Sequence, residues 1–381
     1  MGKVEVLSII RRMVNMGLSM LRGLNLLGLG KSKYYYWIKS EMEKKEMKRG
    51  RKVSRMTQYW NGDSWEEVPN EKVVELIEDI LSAAMVDYGY HKMTDQLGNY
   101  GFWINDKKVY RLMDQAGLLL GQRIKKGAGR RFIQQKLVVP ERPYEIFEMD
   151  IKQLYVKGID RNMYLLTILD TFTRDAVGYH AGFSITQHEV KQLWEDVLKD
   201  KKIQTYYPRG LVIRNDNGSQ FIAQRVQQYF KDRTIMQEFT HVATPEENGH
   251  IESFHAILEG AIQHEEFATA NELLSFLDRF YHYYNTRRIH SSICGLPPRA
   301  FLKLWELDMI NVQLRNGVNR MYLKTKRYLL KNCIGNNEPE LSLCFNFEGS
   351  IPEKINKKPQ VLPPEVLTSV YNSPSLSLCN Y

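Results

Sequence analysis

The sequence predicts a multidomain protein in which all-α units precede a layered α/β domain. The excess positive charge lies at the front: residues 1–140 hold 25 Lys+Arg against 15 Asp+Glu, and the rest of the chain holds 28 against 29. Up to about Leu120 the apolar residues recur at helical spacing. From Pro143 onward β-branched and aromatic runs take over, first in succession and then alternating with helical segments.

A chain of 381 residues with 43% hydrophobic and 25% charged residues is long enough for two or three domains with ordinary globular cores. No apolar run approaches a membrane span, and "MGKVEVLSIIRR" lacks the long apolar stretch of a signal peptide, so a cytoplasmic protein is expected. Cys294, Cys333, Cys344 and Cys379 are scattered through the last quarter and are expected to be reduced thiols, with neither a disulfide framework nor a CxxC-type zinc site. A basic front joined to a neutral back suits a polyanion-binding module attached to something else.

The first expected unit, residues 1–42, runs "VEVLSIIRRMVNMG", a turn, "SMLRGLNLLGLG" and "KSKYYYWIKS", the layout of a helix-turn-helix as well as of a plain three-helix unit. In the first case Lys31, Lys33, Tyr34 and Tyr35 face DNA; in the second the tyrosines are core. Residues 43–70 are charge-rich and without periodicity, and read as a linker. Residues 71–120 are expected to form a second helical unit: Val73, Val74, Ile77, Ile80 and Leu81 mark one amphipathic helix, and two more follow. The last has Asn105 as its cap and Lys107, Lys108 and Arg111 on its polar face. A basic connector, residues 121–142, includes Lys125, Lys126, Arg130 and Arg131, whose charge suits phosphate tracking.

Residues 143–304 read as three meander strands, "YEIFEMDIKQLYV", "NMYLLTILD" and "DAVGYHAGFSI", followed by alternating helix and strand. In "ATPEENGHIESFH" the run Thr244 to Glu247 resembles a capping box, so the next helix begins there or restarts at Asn248. Ile251, Phe254, Leu258 and Ile262 are its buried stripe, with Glu252 at the edge of that stripe. Residues 305–381 form a tail without assignable role. It carries a short repeat at Asn337 to Cys344 and Asn372 to Cys379.

Three acids are candidates to meet. Asp150 interrupts an apolar strand, Asp216 ends another just before a Gly turn, and Glu252 follows after 35 intervening residues, enough for one helix, one strand and the return. Clustered carboxylates repel unless cations hold them together, and hard oxygen ligands favour Mg²⁺ or Mn²⁺. Asp170 and Asp175 flank the turn "DTFTRD" and read as turn and cap residues. Asn217, Gly218, Asn248 and Gly249 read as turn or cap residues, and His250, His255 and His290 as locally packed or bonded.

These residues resemble an insertion-sequence transposase with a retroviral-integrase-like catalytic core, of the type encoded in the second of two overlapping frames. The marks are the Asp150 strand, "DNGSQF" from Asp216, "TPEENGHIES", and "YNTRRIHSSICGLPP", which is similar to the family's Tyr-Asn-x-x-Arg-x-His ending at Tyr284, Asn285, Arg288 and His290. Upstream, "YGYHKMTDQLGNYG" and "INDKKVYRLMDQAGL" resemble the helical domain that precedes the core in these proteins.

The resemblance implies an RNase H-like fold and a catalytic, metal-binding triad of Asp150, Asp216 and Glu252 holding two Mg²⁺ or Mn²⁺ ions. It implies cleavage and joining of double-stranded DNA at the element's terminal repeats and at a target. It also implies at least a dimer on DNA, with a first-frame partner or fusion as a further possibility. Many relatives carry Lys seven residues after the Glu, where this chain has Glu259; Arg287 or Arg288 is the candidate replacement cation. The alternative function is a catalytically inactive DNA-binding relative that occupies the ends or represses transposition. A purely hydrolytic nuclease on the same fold ranks last.

Overall fold

The computed structural model describes residues 3–42, 54–121, 139–207, 210–240, 248–330 and 345. The chain divides into two compact units, Met1–Arg55 and Met56–Tyr381.

In the first unit, helices α1 (Lys3–Asn15), α2 (Met20–Leu26) and α3 (Lys31–Met42) follow the expected pattern. They share a small core of Leu7, Ile10, Leu24 and Tyr34. Gly28, at φ +61, ends α2, and the N–H groups of Gly28 and Leu29 bond back to Asn25 and Leu24. That left-handed exit is one an L side chain resists. Of the three tyrosines, Tyr34 is core while Tyr35 and Tyr36 are exposed.

The second unit begins with strands where a linker was expected. β1 (Met56–Trp60) and β2 (Trp65–Pro69) pair antiparallel, and the short β3 (Phe102–Trp103) adds to the other edge of β1. The hairpin falls inside 43–70 because Asn61 Oδ1 accepts the N–H groups of Asp63 and Ser64 and closes an Asx turn. Thr57 and Val68 face the core while Glu66 and Glu67 face solvent, so the charged composition is that of a half-exposed strand pair. Residues 43–53 lie outside the described residues. Helices α4 (Asn70–Ser82), α5 (Tyr90–Asn99) and α6 (Asp106–Gln115) bury Val73, Ile77, Met93, Leu97, Val109 and Met113 with Phe102. Asn105 caps α6 as expected, accepting the Lys108 N–H at 2.9 Å.

The larger domain is built on β4 (Ile146–Val156), β5 (Arg161–Asp170), β6 (Ala176–Gly182), β7 (Val212–Asn215) and β8 (Met236–Phe239), in the spatial order β6-β5-β4-β7-β8. The first three form the predicted antiparallel meander, and β7 and β8 run parallel to β4. This mixed five-stranded order is the RNase H-like sheet. Helices α7 (Gln187–Val197), α8 (Lys201–Tyr206), α9 (Ser219–Ile222) and α10 (Gln224–Asp232) fall within the stretch from β6 to β8. Trp194 and Phe230 meet Phe147 and Met149 on one face of the sheet. Helices α11 (Gly249–Ile262) and α12 (Ala270–Thr286) cover the other, where Phe254, Leu258 and Phe280 meet Leu154 and Val156. The side chains of β4 therefore alternate between the two cores.

α11 starts at Gly249 after Asn248, the later of the two expected starts; the earlier, at Thr244, lies outside the described residues. Past α13 (Pro298–Glu306), the stretch without an expected role holds a hairpin, β9 (Ile310–Arg315) with β10 (Val318–Leu323). Ile310 and Leu330 pack it against Phe301 and Leu304. The repeat at 337–344 and 372–379 lies outside the described residues. Among the described residues no helix is long and apolar enough to cross a membrane.

Asn285, in α12, ties this helix to the edge strand β6. Its buried amide accepts the Ala176 N–H at 2.9 Å and donates to the Ala176 carbonyl at 3.0 Å. Asn285→Ala leaves both backbone groups unpaired and is expected to lower unfolding free energy by about 2–4 kcal/mol in denaturant titration. A loss under about 0.5 kcal/mol contradicts this account.

Candidate active site

Asp150 stands in the middle of β4 on the face that looks toward α11, the parity it shares with Leu154 and Val156. The parallel pairing of β4 with β7 sets Met149 opposite Asn215, so the next residue on each strand is an aspartate, Asp150 and Asp216. Asp216 is exposed, and its Oδ1 accepts the Gly218 N–H at 2.9 Å, forming the Asx turn that leads into α9. Asn217 steadies the same turn by donating to the Thr240 carbonyl at 3.0 Å. Glu252 is exposed in the first turn of α11.

Asp150 feels both of the other acids. Burial raises the Asp150 carboxyl to about 6, and the charges of Asp216 and Glu252 push in the same direction. The Ile151 N–H and the Lys152 ammonium pull the other way. Asp150 Oδ2 also lies 3.4 Å from Nδ1 of His255, a ring one-tenth exposed that burial holds at about 4 and therefore neutral at physiological pH. An all-carboxylate donor set suits a hard divalent cation, whose charge would relieve the repulsion at Asp150. Among the described residues, however, no group of three or more His, Cys, Asp or Glu is gathered closely enough to hold a metal ion. The donors fit in kind and in field, and the ligand cage is not assembled as it stands.

Two charged neighbours of Asp150 escaped the sequence reading. Glu148 and Lys152 flank it at i−2 and i+2, on the same face of the strand. That alternation within "FEMDIKQL" was the available signal. Glu148 is fully buried and bonds the start of α11. Lys152 Nζ pairs with Glu259 at 2.5 Å and holds the Glu259 carboxyl below its ordinary range. The cation beside Glu259 thus comes from β4.

The remaining expected contacts divide. Lys31 and Lys33 are exposed on α3, with Lys33 Nζ 5.3 Å from the Trp37 ring. Lys107 is exposed, Arg111 is half-buried, and Lys108 donates to the Met56 carbonyl at 2.7 Å, with burial and then Arg111 lowering its pKa. Arg287 is exposed at the end of α12. Arg288 is corrected from a candidate DNA contact: it is 2% exposed and its guanidinium bridges Asp87 at 2.7 Å, locking α12 to the loop between α4 and α5. Lys125, Lys126, Arg130 and Arg131 lie outside the described residues. Asp170 takes the turn role expected of it, accepting from Tyr144 N, Thr173 N and Thr173 Oγ1. His290 packs against Tyr284, with its ring buried.

Asp150 thus stands on the central strand β4, with Asp216 on the turn after the adjoining β7 and Glu252 on α11. The sequence matches the Integrase core domain family over residues 140–245 and again over 233–298. It matches the HTH-like domain family over residues 69–127. The InsK protein of insertion sequence element IS150 from Escherichia coli is 27% identical over 238 residues, covering 59% of this chain and 81% of that protein. The transposase for insertion sequence element IS904 from Lactococcus lactis is 26% identical over 251 residues, covering 63% and 97%. Among solved structures, the HTLV-2 integrase catalytic core domain aligns at 19% identity with a TM-score of 0.30, covering 42% of this chain and 95% of that one. The family matches and the two relatives bear out the resemblance to insertion-sequence transposases with an integrase-like core.

The raised Asp150 carboxyl has a consequence for stability. Its folded pKa lies above the unfolded value, so the folded protein keeps a proton that the unfolded chain has lost. The metal-free protein should lose stability as pH rises from about 4 to about 6, then level off. With the side chain 28% exposed, Asp150→Asn should stabilise the metal-free protein at about pH 7.5 by about 1–2 kcal/mol and bring no gain near pH 3.5. Chemical denaturation across that range is the check, and a destabilised variant at the higher pH contradicts the reading.

Proposed function

We propose that this chain is a DNA transposase that binds the ends of its insertion element and catalyses divalent-metal-dependent strand cleavage and strand transfer. The observation that carries the reading is the surroundings of Asp150 on the central strand of an RNase H-like sheet, where Asp216 on the turn after β7 and Glu252 on α11 add to the effect of burial. In this reading Asp150, Asp216 and Glu252 are the ligands of two Mg²⁺ or Mn²⁺ ions. When bound, such ions supply Lewis-acid stabilisation of the attacking and leaving oxygens in an in-line displacement at phosphorus.

The chain's own part is to fix the geometry. β4 and the turn after β7 hold two carboxylates at adjacent strand positions, and α11 brings the third. Burial holds the metal-free Asp150 carboxyl at about 6, and a bound cation would favour its ionised form. With water as nucleophile the reaction nicks the element's end and frees a 3′-hydroxyl. With that hydroxyl as nucleophile, one phosphodiester bond forms as another breaks, and no covalent protein–DNA link is needed. Lys31, Lys33, Lys107, Arg111 and Arg287 are the proposed phosphate contacts among the described residues, with Lys125, Lys126, Arg130 and Arg131 beyond them. Pairing two ends requires at least a dimer on DNA, and a first-frame partner or fusion belongs to the same proposal.

The test is Mg²⁺-dependent cleavage and joining of DNA carrying the element's ends, with Asp216→Asn as control. The expected result is joined product that falls at least about 10³-fold in the control. One observation favours the second reading, a catalytically inactive DNA-binding relative: the acids are not gathered into a ready cage. Tight end binding by the wild type, with neither nicking nor joining in Mg²⁺ or Mn²⁺, would decide for it.

Lys152, two residues from Asp150 on the same face of β4 and paired with Glu259, is proposed as one further phosphate contact. Lys152→Ala should weaken end binding about 5–20-fold and reduce the salt dependence of binding by about one contact. An unchanged salt slope removes Lys152 from the interface.

A further inference from the structure

The start of α11 is held in an unusual way. Asn248, its N-cap residue, makes no side-chain capping bond. The first-turn N–H groups are met from across the sheet: Glu148 Oε2 accepts the N–H of His250 at 3.0 Å and of Ile251 at 2.8 Å. Glu148 Oε1 lies 2.7 Å from the His250 ring at Nδ1. The carboxylate doing this is 1% exposed and about a hundred residues away along the chain. A negative group at a helix N-terminus is favourable. A buried charge is still an expensive way to pack a strand against a helix, where an apolar side chain of similar size serves stability as well or better.

The connectivity says what the carboxylate achieves. Glu148 is two residues before Asp150 on the same strand and the same face, and the groups it binds are one and two residues before Glu252. The path from Asp150 to Glu252 therefore runs through one strand step, one carboxylate and one helical turn, all of them rigid elements. We propose that Glu148 is a positioning residue that sets the separation and orientation of Glu252 relative to Asp150, clamping the first turn of α11 to β4 so that the two acids can ligate one divalent ion. This rests on the proposed role of Asp150, Asp216 and Glu252. It adds a specific requirement: an acceptor at residue 148 able to take two backbone N–H groups.

Geometry and charge separate on substitution. Glu148→Gln keeps one carbonyl oxygen for both N–H groups and places an amide beside the His250 ring, so it preserves the clamp without the charge. Glu148→Leu keeps the bulk and removes every acceptor. His250→Ala removes only the ring contact, from a side chain 37% exposed, and so spares the fold.

The measurement is Mn²⁺ affinity of the full chain without DNA, followed by the electron-paramagnetic-resonance signal of free Mn²⁺, beside Asp150→Asn as reference. Misplacing a ligand through its supporting contact costs on the order of tenfold in metal affinity. The expected pattern is therefore about tenfold weaker binding in Glu148→Leu and affinity close to wild type in Glu148→Gln and in His250→Ala, both of which keep the two N–H bonds. A role in stability alone would leave the affinity of the folded variants unmoved. Wild-type affinity in folded Glu148→Leu overturns the proposal; if that variant does not fold, a loss of about tenfold in Glu148→Gln, which keeps the clamp, overturns it instead. Wild-type affinity in Asp150→Asn overturns the three-acid site itself and the positioning role with it, which keeps the two failures distinct.

Discussion

The parallel register between β4 and β7 is the constraint on which the candidate site depends. It sets Met149 opposite Asn215 and so makes Asp150 and Asp216 neighbours at the point where β7 ends. β4 is the central strand of five, with apolar side chains from both cores packed along it, so Asp150 cannot move to relieve the charge beside it. Burial first, and then the neighbouring charges of Asp216 and Glu252, make its carboxyl hold its proton more tightly.

The second support is the closing of the sheet by its last helices. α11 lies against β4 and presents Glu252 from its first turn, while α12 holds α11 through the contacts of Phe254 with Phe280 and Tyr284. α12 is in turn fastened at both sides of its end: Asn285 to the edge strand β6, and Arg288 to Asp87 in the segment that follows α4. The Tyr-Asn-x-x-Arg-x-His stretch therefore acts structurally at Tyr284, Asn285 and Arg288. It connects the HTH-like region to the helix behind the candidate site. Arg327 adds a similar tie, meeting Asp95 at 3.0 Å and Asn99 at 2.9 Å on α5.

Much of this was legible in the sequence because it depended on local periodicity. The meander strands, the Ile251, Phe254 and Leu258 stripe and the Asn105 cap follow from alternation, helical spacing and one side-chain acceptor. What escaped depended on partners far along the chain. Composition concealed the β1–β2 hairpin, since half of a two-sided strand pair is polar and its Asx turn is marked only by Asn61-Gly62. Arg288 looked like a free cation because nothing near it in sequence announces Asp87. Glu148 looked like one more charged residue, because its function lies in N–H groups about a hundred residues later.

The central claim is that Asp150, Asp216 and Glu252 converge on one divalent-metal site. The most direct measurement is an anomalous difference map, at the manganese edge, from crystals of the chain grown with Mn²⁺ and DNA carrying the element's end. Peaks bridging the carboxylates of these three residues are the predicted result. Manganese bound elsewhere with the three acids unligated would contradict the account.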